Sequence, residues 1–183
     1  TGYDEYVYKI HDELTNGLDF VNDANGAALG ADATTVNVTV AFTDNSLTAG
    51  GTTPTTATLD TANNRKMSLD LSAWVRDNQT NKGKEFTVTY YAKVNANAVV
   101  IEKNNAQLEY GNNPKETTKT TPSEAKTPTY PLDILKKEKT SKKELAGAKF
   151  SLYKTETDAK AGTNAITVSG SDGKYVVDPT SKN

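Results

Sequence analysis

The chain has 183 residues, 35% of them hydrophobic and 24% charged, and a net charge of -2 with both signs interspersed. That balance offers no basic field to a phosphate backbone and no polybasic arm to anionic lipid, so nucleic acid and membrane surfaces fall away as partners. There is no cysteine, which removes disulfides, thiolate nucleophiles and cysteine-based metal sites together.

Threonine is abundant and often alternates with apolar residues, a pattern that suits a pleated, half-buried surface better than a helix. The first strand signal is Tyr6 to Ile10. The clearest is residues 36–42, where Val36, Val38, Val40 and Phe42 share one face with period two. Residues 86–94 and 106–110 repeat the alternation, and Asn16-Gly17, Ala49-Gly50-Gly51, Asn63-Asn64 and residues 111–114 supply turns between such runs. A helix longer than a turn or two is hard to find; residues 92–100 are the best candidate and read equally well as strand plus loop. The fold class is therefore all-β.

Residues 114–130 contain three prolines, six threonines and no large aliphatic side chain, a composition that cannot bury enough surface to fold alone. They read as a linker between a domain at 1–113 and a second at 131–183, where the apolar pattern restarts with Leu132, Ile134, Phe150, Leu152, Ile166, Val168, Tyr175 and Val177. At this length the second module supplies few strands and is expected to be the N-terminal part of a domain. The first opens directly on strand-like sequence, so a preceding strand is expected to lie outside these residues.

The string LAGAKFSLY at residues 145–153, following LDILKKE at 132–138, resembles the opening of the collagen-adhesin B-type domains of Gram-positive surface proteins. Its small Ala146, Gly147 and Ala148 suit a tight turn close to a sheet, after which a strand would present Phe150 and Leu152 inward. Residues 2–6, 8–14 with 17–20, 88–95 and 104–114 resemble, in order, the domain that precedes such repeats in sortase-assembled pilus backbone subunits. The resemblance implies tandem immunoglobulin-like β-sandwiches in a structural subunit of a cell-wall-anchored pilus shaft, secreted and polymerised by sortase. Its partners would be neighbouring pilin subunits and sortase, with host extracellular matrix a further candidate. A non-polymerising adhesin module that grips a host protein or glycan is the alternative. The pilin-motif lysine and sorting signal that would separate the two are expected outside this chain.

The resemblance also implies an autocatalytic isopeptide bond between a lysine and an asparagine, promoted by a neighbouring carboxylic acid in a buried site. Burial would lower the lysine pKa and raise that of the acid, so that both can be neutral at pH 7. In the first module the acid at the matching position is Asp12, which shares strand parity with Tyr8 and Ile10. Parity with Ala106, Leu108 and Tyr110 favours Asn104 as the asparagine; a bulge would substitute Asn105. The lysine is expected on a strand preceding Tyr3. In the second module, alternation from Leu132 and Ile134 directs Lys136 inward as the nucleophile, with its acid and asparagine expected after residue 183.

No cofactor or metal is expected. His11 is the only histidine, so neither a zinc-binding histidine pair nor a Ser-His-Asp triad is expected to assemble. Asp/Asn-rich loops at 19–25 and 158–172 could ligate calcium, but solvated loops account for them as well. Enzymatic function is not expected. Asn37 and Asn78 open sequons that matter only in a eukaryotic secretory route, and Trp74 reads as a core plug.

Overall fold

A computed structural model describes residues 6–99 and 101–182. Fourteen strands, two short α-helices and one 3-10 turn (Gln79–Asn81, after α1) run along them in the order β1 (Val7–Leu14), β2 (Leu18–Val21), β3 (Thr35–Asn37), β4 (Thr39–Phe42), β5 (Thr56–Leu59), β6 (Lys66–Asp70), α1 (Ser72–Asp77), β7 (Phe86–Thr89), β8 (Tyr91–Val94), β9 (Ile101–Asn113), β10 (Glu116–Lys119), β11 (Ser123–Pro128), β12 (Tyr130–Asp133), α2 (Glu156–Ala161), β13 (Ile166–Ser171) and β14 (Lys174–Lys182). The all-β class expected from the sequence is what the structure shows. The residues matched at 2–5 and the strand expected before Tyr3 lie outside the described residues.

The chain divides into two compact units, the first formed by Thr1–Thr15, Asp19–Lys93 and Asn104–Ala125, the second by Asn16–Leu18, Val94–Lys103 and Lys126–Asn183. In the first, a seven-stranded sheet runs β10-β9-β1-β6-β5-β3, with β11 also pairing β9. The pairs β1–β6, β1–β9, β5–β6 and β3–β5 are antiparallel. Two shorter ribbons, β4–β7 and β2–β8, complete the unit. The β4–β7 ribbon lies over the face of β1 that carries Tyr8, since the Tyr8 and Phe86 rings meet at 6.1 Å.

Strand alternation places the core of this unit. Val36, Val38 and Val40 are buried while Asn37, Thr39 and Ala41 between them are exposed, as period two requires. Ala57, Leu59, Met67, Leu69 and Leu71 fill the same interior. Trp74 plugs it from α1, 3% exposed, with its ring 5.2 Å from that of Phe42 and 5.0 Å from that of Phe86. Its indole N–H donates to Thr53 Oγ1 at 3.2 Å, which satisfies the one polar atom such a plug must bury.

α1 ends on Asn78, whose buried side chain binds both backbone groups of Gly50 and a carbonyl of the helix itself. Nδ2 donates to Trp74 O at 2.8 Å and Gly50 O at 3.2 Å, and Oδ1 accepts from Gly50 N at 2.8 Å. Gly51 sits at φ +64° against Asp77, where a Cβ would lie 2.1 Å from the carboxylate; both the backbone angle and the space favour glycine there. The sequon at Asn78 is thus occupied by structure: its amide is buried and bonded.

Residues 114–130, read from composition as a linker, instead carry β10 and β11. They join the sheet through β9, Thr118 opposite Tyr110 and Lys119 opposite Glu109. Backbone pairing needs no apolar side chain, and composition reports only on side chains. Of residues 92–100, the best helical candidate, 92–94 form the end of β8 and 96–97 a turn, while residue 100 lies outside the described residues.

In the second unit β12, β14 and β13 make a three-stranded antiparallel sheet, with Val176 and Val177 buried. α2 is held at its start by Thr155, whose Oγ1 accepts the Asp158 N–H at 3.1 Å, and at its end by Gly162 in the left-handed conformation, both common terminal signals. The strand expected after the LAGA turn does not form. Gly147 does adopt a positive φ of +77°, but residues 145–151 carry no strand, Phe150 is 52% exposed and only Leu152 makes an isolated bridge, to Ile166. A three-stranded sheet has little apolar surface against which such a segment can pack.

Candidate functional site

β1 is central, with β6 on one side and β9 on the other, so its inward side chains are covered by neighbours on both flanks. Asp12 lies opposite Met67 on β6 and Ala106 on β9 and is 3% exposed. Burying a carboxyl there is costly unless it is neutral or well bonded.

Two side chains converge on it. Leu14 pairs with Asn104 across the ladder, which puts Asn104 on the same face as Asp12 and one diagonal step away. Asn104 Nδ2 donates a hydrogen bond to Asp12 Oδ2. Tyr90, at the junction of β7 and β8, brings its hydroxyl into hydrogen bonding with both Asp12 and Asn104, and its ring lies 6.1 Å from that of Phe20. The other carboxylate oxygen, Asp12 Oδ1, is buried with no hydrogen-bond partner among the described residues.

The electrostatics follow from this enclosure. Burial raises the Asp12 pKa above the ordinary aspartate range, against the opposing pull of the Tyr90 and Asn104 hydrogen bonds, which favour the charged form. Burial, reinforced by the hydrogen bond to Asp12 and its charge, also raises the Tyr90 pKa. The phenol is therefore protonated at neutral pH and available to donate. Asp12, Asn104 and Tyr90 form an enclosed trio: a carboxyl that binds protons more readily than usual, an amide bonded to it, and a neutral phenol touching both.

The residues singled out from sequence fare differently. Asp12 and Asn104 are brought together. Asn105 pairs with Glu13 in the register and so faces the opposite side of the sheet, with no bulge to exchange the two. Lys136 does not point inward: it is exposed, because β12 stops at Asp133 and the alternation counted from Leu132 does not extend past the strand. Tyr90 was not singled out, although it lies within the matched run 88–95; nothing in a strand's own pattern reveals a contact made across layers.

On the other face of β1, His11 is bonded at both ring nitrogens. Nδ1 lies 2.8 Å from Ser68 Oγ and Nε2 lies 2.6 Å from Glu109 Oε2. No triad was expected of a chain with one histidine, yet the fold brings serine, histidine and carboxylate together from β6, β1 and β9; a triad needs only one imidazole, so the histidine count does not exclude it. No group of three or more metal-ligating side chains occurs among the described residues.

No family model and no curated protein matches the chain. Solved structures of a pilin are similar to it. Domains D2 and D3 of the major pilin SpaD from Corynebacterium diphtheriae are 20% identical with a TM-score of 0.46, over 76% of this chain and 46% of that one. The full-length major pilin SpaD from the same organism is 24% identical with a TM-score of 0.49, over 94% of this chain and 40% of that one. The chain thus spans less than half the length of either structure.

Proposed function

We propose that this chain is part of an extracellular structural protein, the shaft subunit of a cell-wall-anchored pilus, built of immunoglobulin-like sandwiches and hardened by an isopeptide bond at Asn104. The observation that carries the reading is the buried Asp12 carboxyl bonded to the Asn104 amide, with its second oxygen unpartnered. A structural aspartate gains nothing from such a position, whereas an acid that must bind and release protons requires it.

The chemistry balances on these groups. A neutral lysine Nζ, expected from a strand preceding Tyr3, attacks Asn104 Cγ. Nζ gives up a proton, Nδ2 takes one and departs as ammonia, and the new bond is Nζ–Cγ. Asp12 Oδ2 already lies on the leaving nitrogen and is placed to deliver that proton. Oδ1 offers the vacant acceptor for the proton that Nζ sheds, and the neutral Tyr90 phenol steadies the carboxyl between the two. Polymerisation by sortase and neighbouring pilin subunits as partners belong to the same reading. Lys136 does not enter it, since its amine is solvated.

Peptide mapping of the full-length protein tests the site. A proteolytic digest should yield a branched peptide joining Asn104 to an upstream lysine, absent from Asp12→Ala. Quantitative recovery of the linear peptide with an unmodified Asn104 would overturn the assignment.

A further inference from the structure

The face of β1 opposite Asp12 carries a second, separate constellation. His11 stands directly across from Ser68 on β6. Glu109 on β9 faces Lys9, one diagonal step from His11, a spacing that long side chains bridge. The resulting chain is continuous: Ser68 Oγ to His11 Nδ1 at 2.8 Å, His11 Nε2 to Glu109 Oε2 at 2.6 Å, and Thr117 Oγ1 donating to Glu109 Oε1 at 2.8 Å.

The donor directions are decided by the carboxylate. The hydrogen bonds from His11 and then Thr117 hold Glu109 below the ordinary glutamate range, so at neutral pH it is ionised and can only accept. His11 Nε2 therefore carries the proton. In the neutral ring Nδ1 is then the acceptor, and the Ser68 hydroxyl donates into it. That is the arrangement of a serine with its general base and the base's orienting carboxylate, recognised by roles rather than by sequence order. The group is reachable: His11 and Ser68 are half-buried and line an open groove of about 740 Å³ with Thr58, Met67, Gln107 and Lys119.

We propose that Ser68 is an activated nucleophile that accepts an acyl group from an activated ester. Ser68 Oγ attacks the ester carbonyl carbon while its proton passes to His11 Nδ1. Glu109 stabilises the imidazolium so formed. The departing alcohol or phenol takes the proton from Nδ1, leaving acyl-Ser68 and a neutral imidazole.

The test treats the chain with p-nitrophenyl acetate and follows acetylation of individual residues by peptide mass spectrometry. Ser72 is the internal reference, half-buried with its Oγ accepting the Tyr8 N–H and no imidazole on it. General-base assistance predicts Ser68 acetylation at least about 100-fold faster than that of Ser72. His11→Gln should bring the Ser68 rate down to that of Ser72 at an unchanged melting temperature. Glu109→Gln, which keeps the imidazole but not its anionic partner, should slow Ser68 by about 10-fold and covers the case in which His11→Gln unfolds. Acetylation of Ser68 no faster than of Ser72, or a Ser68 rate indifferent to both substitutions, overturns the proposal.

Discussion

Asp12 shows how much the surroundings of one side chain can alter its chemistry. Its folded pKa lies above the value it has in the unfolded chain, so within that window the native state binds the proton more tightly and stability falls as pH rises. Asp12→Asn removes the ionisation. In thermal melts it should exceed the unsubstituted chain at pH 7, with the difference closing as pH falls below the ordinary aspartate range. Tyr90→Phe should act in the opposite sense on the carboxyl: losing the donor that favours the charged form, Asp12 should titrate at still higher pH, as read from its carboxyl carbon by NMR. That Asn104, and not Asn105, shares the face of Asp12 was legible in sequence because a strand's parity is a local property. Tyr90 and the Ser68–His11–Glu109 chain were not, since those contacts join residues 57 and 98 positions apart on neighbouring strands, or cross between layers.

At the scale of elements, the strands that alternate most regularly formed as expected: residues 36–42 give β3 and β4, and 86–94 give β7 and β8. The failures share a cause. Composition and periodicity describe side chains, whereas β10 and β11 are recruited by the backbone of β9, and Lys136 and Phe150 lie where no strand continues the count. α1 is too short to be stable by propensity and depends on tertiary contacts at both its plug and its end. Trp74→Ala should therefore cost about 3–5 kcal/mol in urea unfolding of the first unit. Asn78→Ala, which strands the Gly50 and Trp74 backbone groups, should cost about 1–3 kcal/mol. Equal midpoints for Asn78→Ala and the unsubstituted chain would contradict the role given to that side chain.

For the whole molecule, the threonine-rich alternation pointed to an all-β scaffold, and that class is what the structure shows. Under the proposed function, the enclosed Asp12–Asn104–Tyr90 trio is the means by which such a scaffold is reinforced covalently without a disulfide. The most direct measurement is the intact mass of the full-length protein beside that of its Asp12→Ala variant. The unsubstituted protein should be lighter than its sequence mass by one ammonia for each bond formed, and the variant should recover one of those losses. A full-length protein at its plain sequence mass, or a deficit that Asp12→Ala leaves untouched, would contradict the account.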